Sequence, residues 1–174
     1  MYEKTLKSDR IYSGSLLGLR KDQVELSSGV ISSREICEHP GAVAVVAITD
    51  IKEIVLIRQF RKPAEQVLIE IPAGLYKAGE DLYLAAKREL LEETGYEAGE
   101  IKKVFAAYTT PGYSTEVLHY FVATKLVKKA QQTEEDEQIE VDLYPVKEAL
   151  DMVKAGQIKD NKTVVGICIA QWTI

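Results

Sequence analysis

Two cysteines in 174 residues leave no disulfide framework on which to build a fold. Cys37 and Cys168 stand far apart among apolar neighbours, the setting of reduced, buried thiols in a cytoplasmic protein. Basic residues form no block: 22 Lys and Arg face 27 Asp and Glu, for a net charge of −5. That balance argues against a nucleic-acid polymer as the main partner. It still admits a nucleotide, which one or two arginines and a metal can meet. No long apolar run is present either. The longest, at 42–48, is far too short to span a bilayer, and the opening "MYEKTLKSDR" lacks the apolar core of a signal peptide. These features predict a cytoplasmic protein with no membrane partner. Repeats and low-complexity linkers are missing as well, so the chain reads as one domain's worth of sequence, large enough to bury a sizeable core.

What is present is a succession of strands broken by a few helices. Residues 11–38 read as short strands turning at "SG" and "SSG". The β-branched runs "GAVAVVAITD", "EIVLIRQF" and "QVLIEIP" suit three further strands, the first of them fully buried. Helical periodicity holds over 81–94 and stops at Gly95. "IKKVFAAYT" and "EVLHYFVAT" return to strand around the turn "TPGYS". An acidic loop, "TEEDEQ", precedes the strand "IEVDLY". An amphipathic helix follows between Pro145 and Gly156, and Asn161 is expected to cap a last helix. Grouped strands with few helices predict an α/β protein, a mixed sheet sandwiched by helices.

The helix at 81–94 carries the chemistry. Glu89, Glu92 and Glu93 fall within one third of the helical wheel, with Ala85 and Ala86 one turn earlier on the same side. A solvated acidic face is the bland reading of such a run. Against it, Glu89 and Glu93 form a like-charge pair at i,i+4, costing roughly 0.2–0.5 kcal/mol. Arg88 can answer Glu92, but no basic residue follows at 96 or 97. The alanines imply that something packs close, and burial would worsen the repulsion. A divalent cation removes the difficulty, and hard oxygen ligands suit magnesium or manganese. Gly74 and Gly79 let the chain turn between strand and helix. Glu80 and Asp81 place negative charge at the helix N-terminus, and Glu80 is within reach of Arg88.

Gly74, five residues, Glu80, seven residues, Arg88-Glu89-Leu90, one residue, Glu92-Glu93, one residue, Gly95-Tyr96: this pattern of 23 residues resembles the Nudix box, with all of its fixed glycines, glutamates and its arginine present. The soft departure is Tyr96, where an aliphatic residue is usual. The resemblance implies a Nudix fold, an α/β/α sandwich around a mixed sheet, with an N-terminal strand region at 1–40 and the hydrolase domain at 41–174. It also implies a metal site formed by Glu89, Glu92 and Glu93 with the carbonyl of Ala73, and hydrolysis of a nucleoside diphosphate linked to a second group. The charge balance explains the need for metal. At 4 Å and an effective dielectric near 20, each pair of like unit charges costs about 4 kcal/mol, so a diphosphate cannot approach such a helix without cations.

The flanks "LIRQFRKPAEQVLIEIPAG" and "YTTPGYSTEVLHYFVA" look like those of bacterial ADP-ribose pyrophosphatases, with Pro111 fifteen residues past Tyr96. The similarity runs from about Tyr12 to the last helix. It implies ADP-ribose as substrate, with AMP and ribose 5-phosphate as products. A broader nucleoside-diphosphate-sugar hydrolase and a non-catalytic ligand sensor on the same fold are the alternatives. By this resemblance Arg61 meets the diphosphate, Glu70 stands on the substrate side, and Gly74, Leu75 and Pro111 line the substrate. Arg34 lies near the adenosine half, reaching in from a second subunit of a homodimer. Glu116 either contacts substrate or caps its turn. Arg88, Glu89 and Glu93 belong to the catalytic set. A loop glutamate activates water; Glu137 fits best and Glu135 second. His119, alternating with Val117 and Phe121, reads as a satisfied inward histidine.

Overall fold

The computed structural model describes residues 1–133 and 137–174. Glu134, Glu135 and Asp136, and with them the second candidate for the base, lie outside the described residues. The elements follow in the order β1 (Glu3–Ser13), β2 (Gly18–Leu26), β3 (Ile31–Glu38), β4 (Ala42–Ala47), β5 (Glu53–Arg61), β6 (Gln66–Glu70) and β7 (Ala73–Leu75). Helix α1 (Leu82–Thr94) comes next, then β8 (Tyr96–Tyr108), β9 (Val117–Lys128) and β10 (Ile139–Pro145). Helices α2 (Val146–Lys154) and α3 (Asn161–Thr173) close the chain. Among the described residues no helix is long and apolar enough to cross a membrane.

The chain divides into two units. The first comprises Met1–Gly41 with Ala107–Leu118. Its N-terminal part is an antiparallel meander in the order β1-β2-β3. Strand β1 begins at Glu3, well before the strands expected from residue 11, and all of its residues are exposed. A strand that buries nothing carries no alternation to read, which is why its hydropathy gives no sign of it. The segment 107–118 is the turn region between β8 and β9. Its Ser114 forms a parallel bridge with Cys37 of β3.

The second unit, Ala42–Ala106 with His119–Ile174, holds the acidic helix. Its strands run β7-β4-β9-β8 in one sheet and β10-β5-β6 in another. Strand β4 is buried along its whole length because both faces are covered. Val43, Val45 and Ala47 pack in one cluster with Ala85, Ala86 and Leu90 of α1. On the opposite face Val46 meets α3 at Gly166, where an added Cβ would stand 2.8 Å from Ile71 and 3.3 Å from Val46. Successive side chains of a strand alternate between faces, so β4 is sandwiched between α1 and α3, the α/β/α layering expected. Phe121 of β9 is fully buried in the α1 cluster, worth about 1.5–3 kcal/mol for a side chain of that kind.

The helices start and stop for local reasons. The carboxylate of Asp81 accepts the N–H groups of Tyr83 at 2.9 Å and Leu84 at 3.2 Å, and Gly95 ends α1 in the left-handed region at φ 67°. The cap of α3 is Asp160, one residue before the expected Asn161: its carboxylate accepts the Thr163 N–H at 2.9 Å.

Candidate active site

Strand β7 delivers Ala73, Gly74 and Leu75 beside helix α1, and the acidic stripe of the helix turns toward them. Glu93 is 3% exposed, and one of its carboxylate oxygens accepts the backbone N–H of Ala73 at 2.9 Å. Glu89 is 9% exposed, and its carboxylate lies directly against Gly74, where an added Cβ would collide with it. Gly74 is therefore required for space. The turning role expected of it belongs to Gly79 alone, which holds φ 80°.

Arg88 is the organiser of the stripe. Its Nη1 donates to Glu89 at 2.7 Å and to Glu92 at 3.0 Å. Its Nε and Nη2 donate to the two oxygens of Glu80 at 3.0 and 3.1 Å, and Nη2 donates also to the Leu75 carbonyl at 2.9 Å. A guanidinium has five N–H donors, and these contacts use them all. Saturated in this way, Arg88 holds the carboxylates of the catalytic set in place. Its hydrogen bonds, with a further one from the Lys77 N–H, pull Glu80 down to about 2.

The electrostatics differ sharply along the stripe. Burial pushes the Glu93 carboxyl up to about 8, and the charges of Glu89 and Glu137 add to the shift. Burial likewise raises Glu89, opposed by Arg88 and aided by Glu92 and Glu137. Glu137, the candidate base from the loop, is thus close enough for its charge to act on both buried glutamates. Among the described residues no three acidic, histidine or cysteine side chains converge as a preformed ion cage. Arg88 occupies Glu89 and Glu92, and the Ala73 N–H occupies Glu93. The donor set nevertheless suits a hard divalent cation: all its side-chain donors are carboxylate oxygens, and two are buried against their own charge.

Arg61, at the end of β5, also belongs to this electrostatic set, since the Glu93 charge raises it after Glu70 has done so. The sequence leaves Glu70 either on the substrate side or as an exposed strand carboxylate, and the second of these does not hold. Glu70 is instead 1% exposed, gripped by Arg61 and by Lys162 of α3. Three donors from two cations hold its two oxygens in this buried setting.

The remaining candidates are placed as follows. Leu75 is exposed and uses its carbonyl on Arg88. In the first unit, Arg34 is paired with Glu3 across the meander, and Pro111 sits exposed in the turn before β9. Glu116 closes that turn, accepting the Thr109 hydroxyl at 2.7 Å, while its carbonyl accepts the Thr109 N–H at 3.2 Å. His119 is not satisfied as expected: its Nδ1 is buried without a hydrogen-bond partner among the described residues, and its ring tilts against Tyr76 at 5.9 Å. Burial, with the charge of Lys103, lowers its pKa. A neutral imidazole tolerates that setting.

Gln131, Gln132 and Lys162 also build the site, and the sequence reading does not single them out. Gln131 donates to the Glu93 carbonyl at 2.7 Å and to the Ile139 carbonyl at 3.3 Å, and the Gln132 N–H donates to the Glu92 carbonyl at 3.1 Å. These bonds tie the chain leading to Glu137 onto the last turn of α1. Nothing local marks a glutamine for that role. Lys162 did leave a signal: a lysine in the first turn of a helix opposes the helix dipole and calls for an anion.

The chain matches the model of the NUDIX domain over residues 38–164. It is 43% identical over 167 residues to an ADP-ribose pyrophosphatase of Bacillus subtilis (strain 168), covering 95% of this chain and 90% of that one. It is 45% identical over 167 residues to a methanol dehydrogenase activator of Bacillus methanolicus, with the same coverage. A solved structure described as an ADP compounds hydrolase superposes with a TM-score of 0.87 at 24% identity, covering 99% of this chain and 94% of the other, a likeness of fold.

Proposed function

This chain belongs to the Nudix family, and from that premise we propose that it hydrolyses the diphosphate linkage of ADP-ribose, releasing AMP and ribose 5-phosphate. The observation that carries the reading is the pair of buried carboxylates, Glu89 against Gly74 and Glu93 on the Ala73 N–H, both within reach of the Glu137 charge and Glu93 within reach of the Arg61 guanidinium. The similarity to a named ADP-ribose pyrophosphatase over nearly the whole chain supports the substrate.

Glu89, Glu92 and Glu93, with the carbonyl of Ala73, would hold magnesium or manganese. Bound there, the ion neutralises the diphosphate and polarises its phosphoryl oxygens. The protein's own groups do the rest. Arg88 keeps the stripe in register through its bonds to Glu89 and Glu92 and opposes the rise that burial imposes on Glu89. Arg61 binds the diphosphate by charge-assisted hydrogen bonds. Glu137 holds the attacking water and takes its proton as that water adds to one phosphorus; the bridging P–O bond breaks and the other phosphate leaves with its electron pair. Gly74 and Leu75 flank the substrate, and the resemblance of their stretches assigns Arg34, Pro111 and Glu116 to substrate contacts as well.

The same reading includes a homodimer formed through residues 1–40, in which Arg34 serves the partner's site. The exposure of all of β1, with Leu6, Ile11, Tyr12, Leu17 and Ile31 open to solvent, supports it. Acidic composition and reduced cysteines support a cytoplasmic setting.

Steady-state kinetics with magnesium test the proposal. kcat/KM for ADP-ribose should exceed that for other nucleoside diphosphate sugars by at least about tenfold, the scale on which a pocket rejects a poorly fitting group. Equal values across the sugars would make the enzyme a broad diphosphate-sugar hydrolase. No turnover of any of them, with ADP-ribose bound, would make it a sensor.

A further inference from the structure

The pairing of Arg61 with Glu70 is built from three elements. Strands β5 and β6 are antiparallel, with Ile57 opposite Glu70 and Arg61 opposite Gln66. Arg61 is four residues from Ile57 and so shares the face of Glu70. Its side chain lies back along that face. There Nε donates to one carboxylate oxygen at 2.8 Å and Nη2 to the other at 2.7 Å. Behind Glu70, the Lys162 ammonium grips the second oxygen and reaches Asp160 at 3.1 Å. Asp160 caps α3 through Thr163, and the Thr163 hydroxyl accepts the Ile71 N–H at 2.8 Å. The first turn of α3 is thus bonded to Glu70 at the end of β6 and to Ile71, the residue after it.

Stability is a poor explanation for this arrangement. A buried ion pair is on average no better than apolar residues of the same volume, because desolvation offsets the attraction. What the bidentate pair does supply is orientation. It takes the Nε edge of the guanidinium and leaves Nη1 without a hydrogen-bond partner among the described residues. The Arg61 side chain is 37% exposed, and it lies within the electrostatic reach of Glu93. Lys162 balances the second oxygen, so the carboxylate is held from both sides and cannot swing.

We propose that Glu70, fixed from behind by Lys162, is a positioning residue that sets the open Nη1 edge of Arg61 to receive the substrate's diphosphate. This rests on the reading of Arg61 as the diphosphate-binding arginine. Glu70 itself touches no substrate. It acts through Arg61, and its effect should vanish when Arg61 is gone.

A double-mutant cycle tests this with wild type, Arg61→Ala, Glu70→Gln and the double variant, measured with ADP-ribose and magnesium alongside each melting temperature. Arg61→Ala should lower kcat/KM by about 10²-fold and Glu70→Gln by about 10-fold, mostly in KM. The double variant should fall within about twofold of Arg61→Ala, the mark of two residues acting as one. Lys162→Met should move KM in the same direction by a smaller factor. If Glu70→Gln does not fold, Glu70→Asp replaces it in the cycle, keeping the charge but withdrawing it by one methylene. A purely structural Glu70 would cost the same factor with or without Arg61, which overturns the proposal. An impaired Arg61→Ala beside a Glu70→Gln at wild-type kcat/KM overturns the positioning role alone. An Arg61→Ala at wild-type kcat/KM overturns the reading of Arg61 and the proposal with it.

Discussion

The carboxylate of Glu89 rests against the Cα of Gly74, in the space that a side chain at that position would need. The backbone of Gly74 is not left-handed, so alanine would be tolerated there on conformation alone. Gly74→Ala should therefore leave the fold in place and push Glu89 off the acidic stripe. A displacement of about 1 Å at a positioned group costs on the order of 10²-fold in rate. The expected outcome is that loss in kcat, with a melting temperature within a few degrees of wild type. Unchanged turnover would show that Glu89 has no exacting position to keep.

Glu93 combines burial with a raised pKa, and the sign of its effect follows. Its ordinary value is 4.5 and its value in the fold is about 8. The folded state holds the proton more tightly, so this group's stabilisation is complete below about pH 4.5 and is lost as pH rises toward 8. The metal-free protein should lose stability across that interval, and Glu93→Gln should flatten the profile. Magnesium must displace the same proton, so apparent affinity should climb with pH up to about 8. Glu93→Gln should also cost about 10²–10⁴-fold in kcat. Thermal melts against pH without metal, repeated with magnesium, would expose an error in either half of this account.

Glu137→Gln should lower kcat by about 10²–10⁴-fold with KM for ADP-ribose nearly unchanged, because the loss falls on proton transfer. Raising the pH should partly restore the rate by supplying hydroxide. Glu135→Gln should do far less. A variant that recovers at high magnesium would make Glu137 a metal ligand, and one with normal kcat would leave it a solvated charge. Should Glu135→Gln prove the inactive one, the base moves there.

Sedimentation at micromolar concentration should show a dimer, and deletion of 1–13 should shift it toward monomer while KM rises through loss of the Arg34 contribution. A fully active monomer would contradict the shared site.

The acidic stripe was legible in the sequence because it depends on local rules. Periodicity places Glu89, Glu92 and Glu93 on one side of a helix, and Asp81 and Gly95 mark its ends, as found. Strand β4 was legible for the same reason, a β-branched run with no turn residue inside it. Where local signals are silent, the reading failed: β1 buries nothing and so has no alternation, and the Asp160 cap stood beside an equally plausible Asn161.

The answer to the charge of α1 was decided elsewhere in the chain. No basic residue follows the helix at 96 or 97, yet the Lys128 ammonium donates to the Thr94 carbonyl at 3.0 Å and sits 4.1 Å over the Tyr96 ring. That cation arrives from β9, 34 residues away, and suits a helix C-terminus. Glu70 is the sharper case. As one carboxylate in a strand it has no marker of burial, and glutamate is usually outside. Only the packing of α3 against β6, which brings Lys162 to Glu70 alongside Arg61, allows it inside, because a buried charge must find its partners in three dimensions. The sequence by itself determined the helix, its stripe of glutamates and the family they signal, through spacing along the chain. The tertiary structure alone decided which charges are buried, which are paired and which edge of Arg61 is left open, because burial and pairing depend on distances between residues that spacing along the chain does not specify.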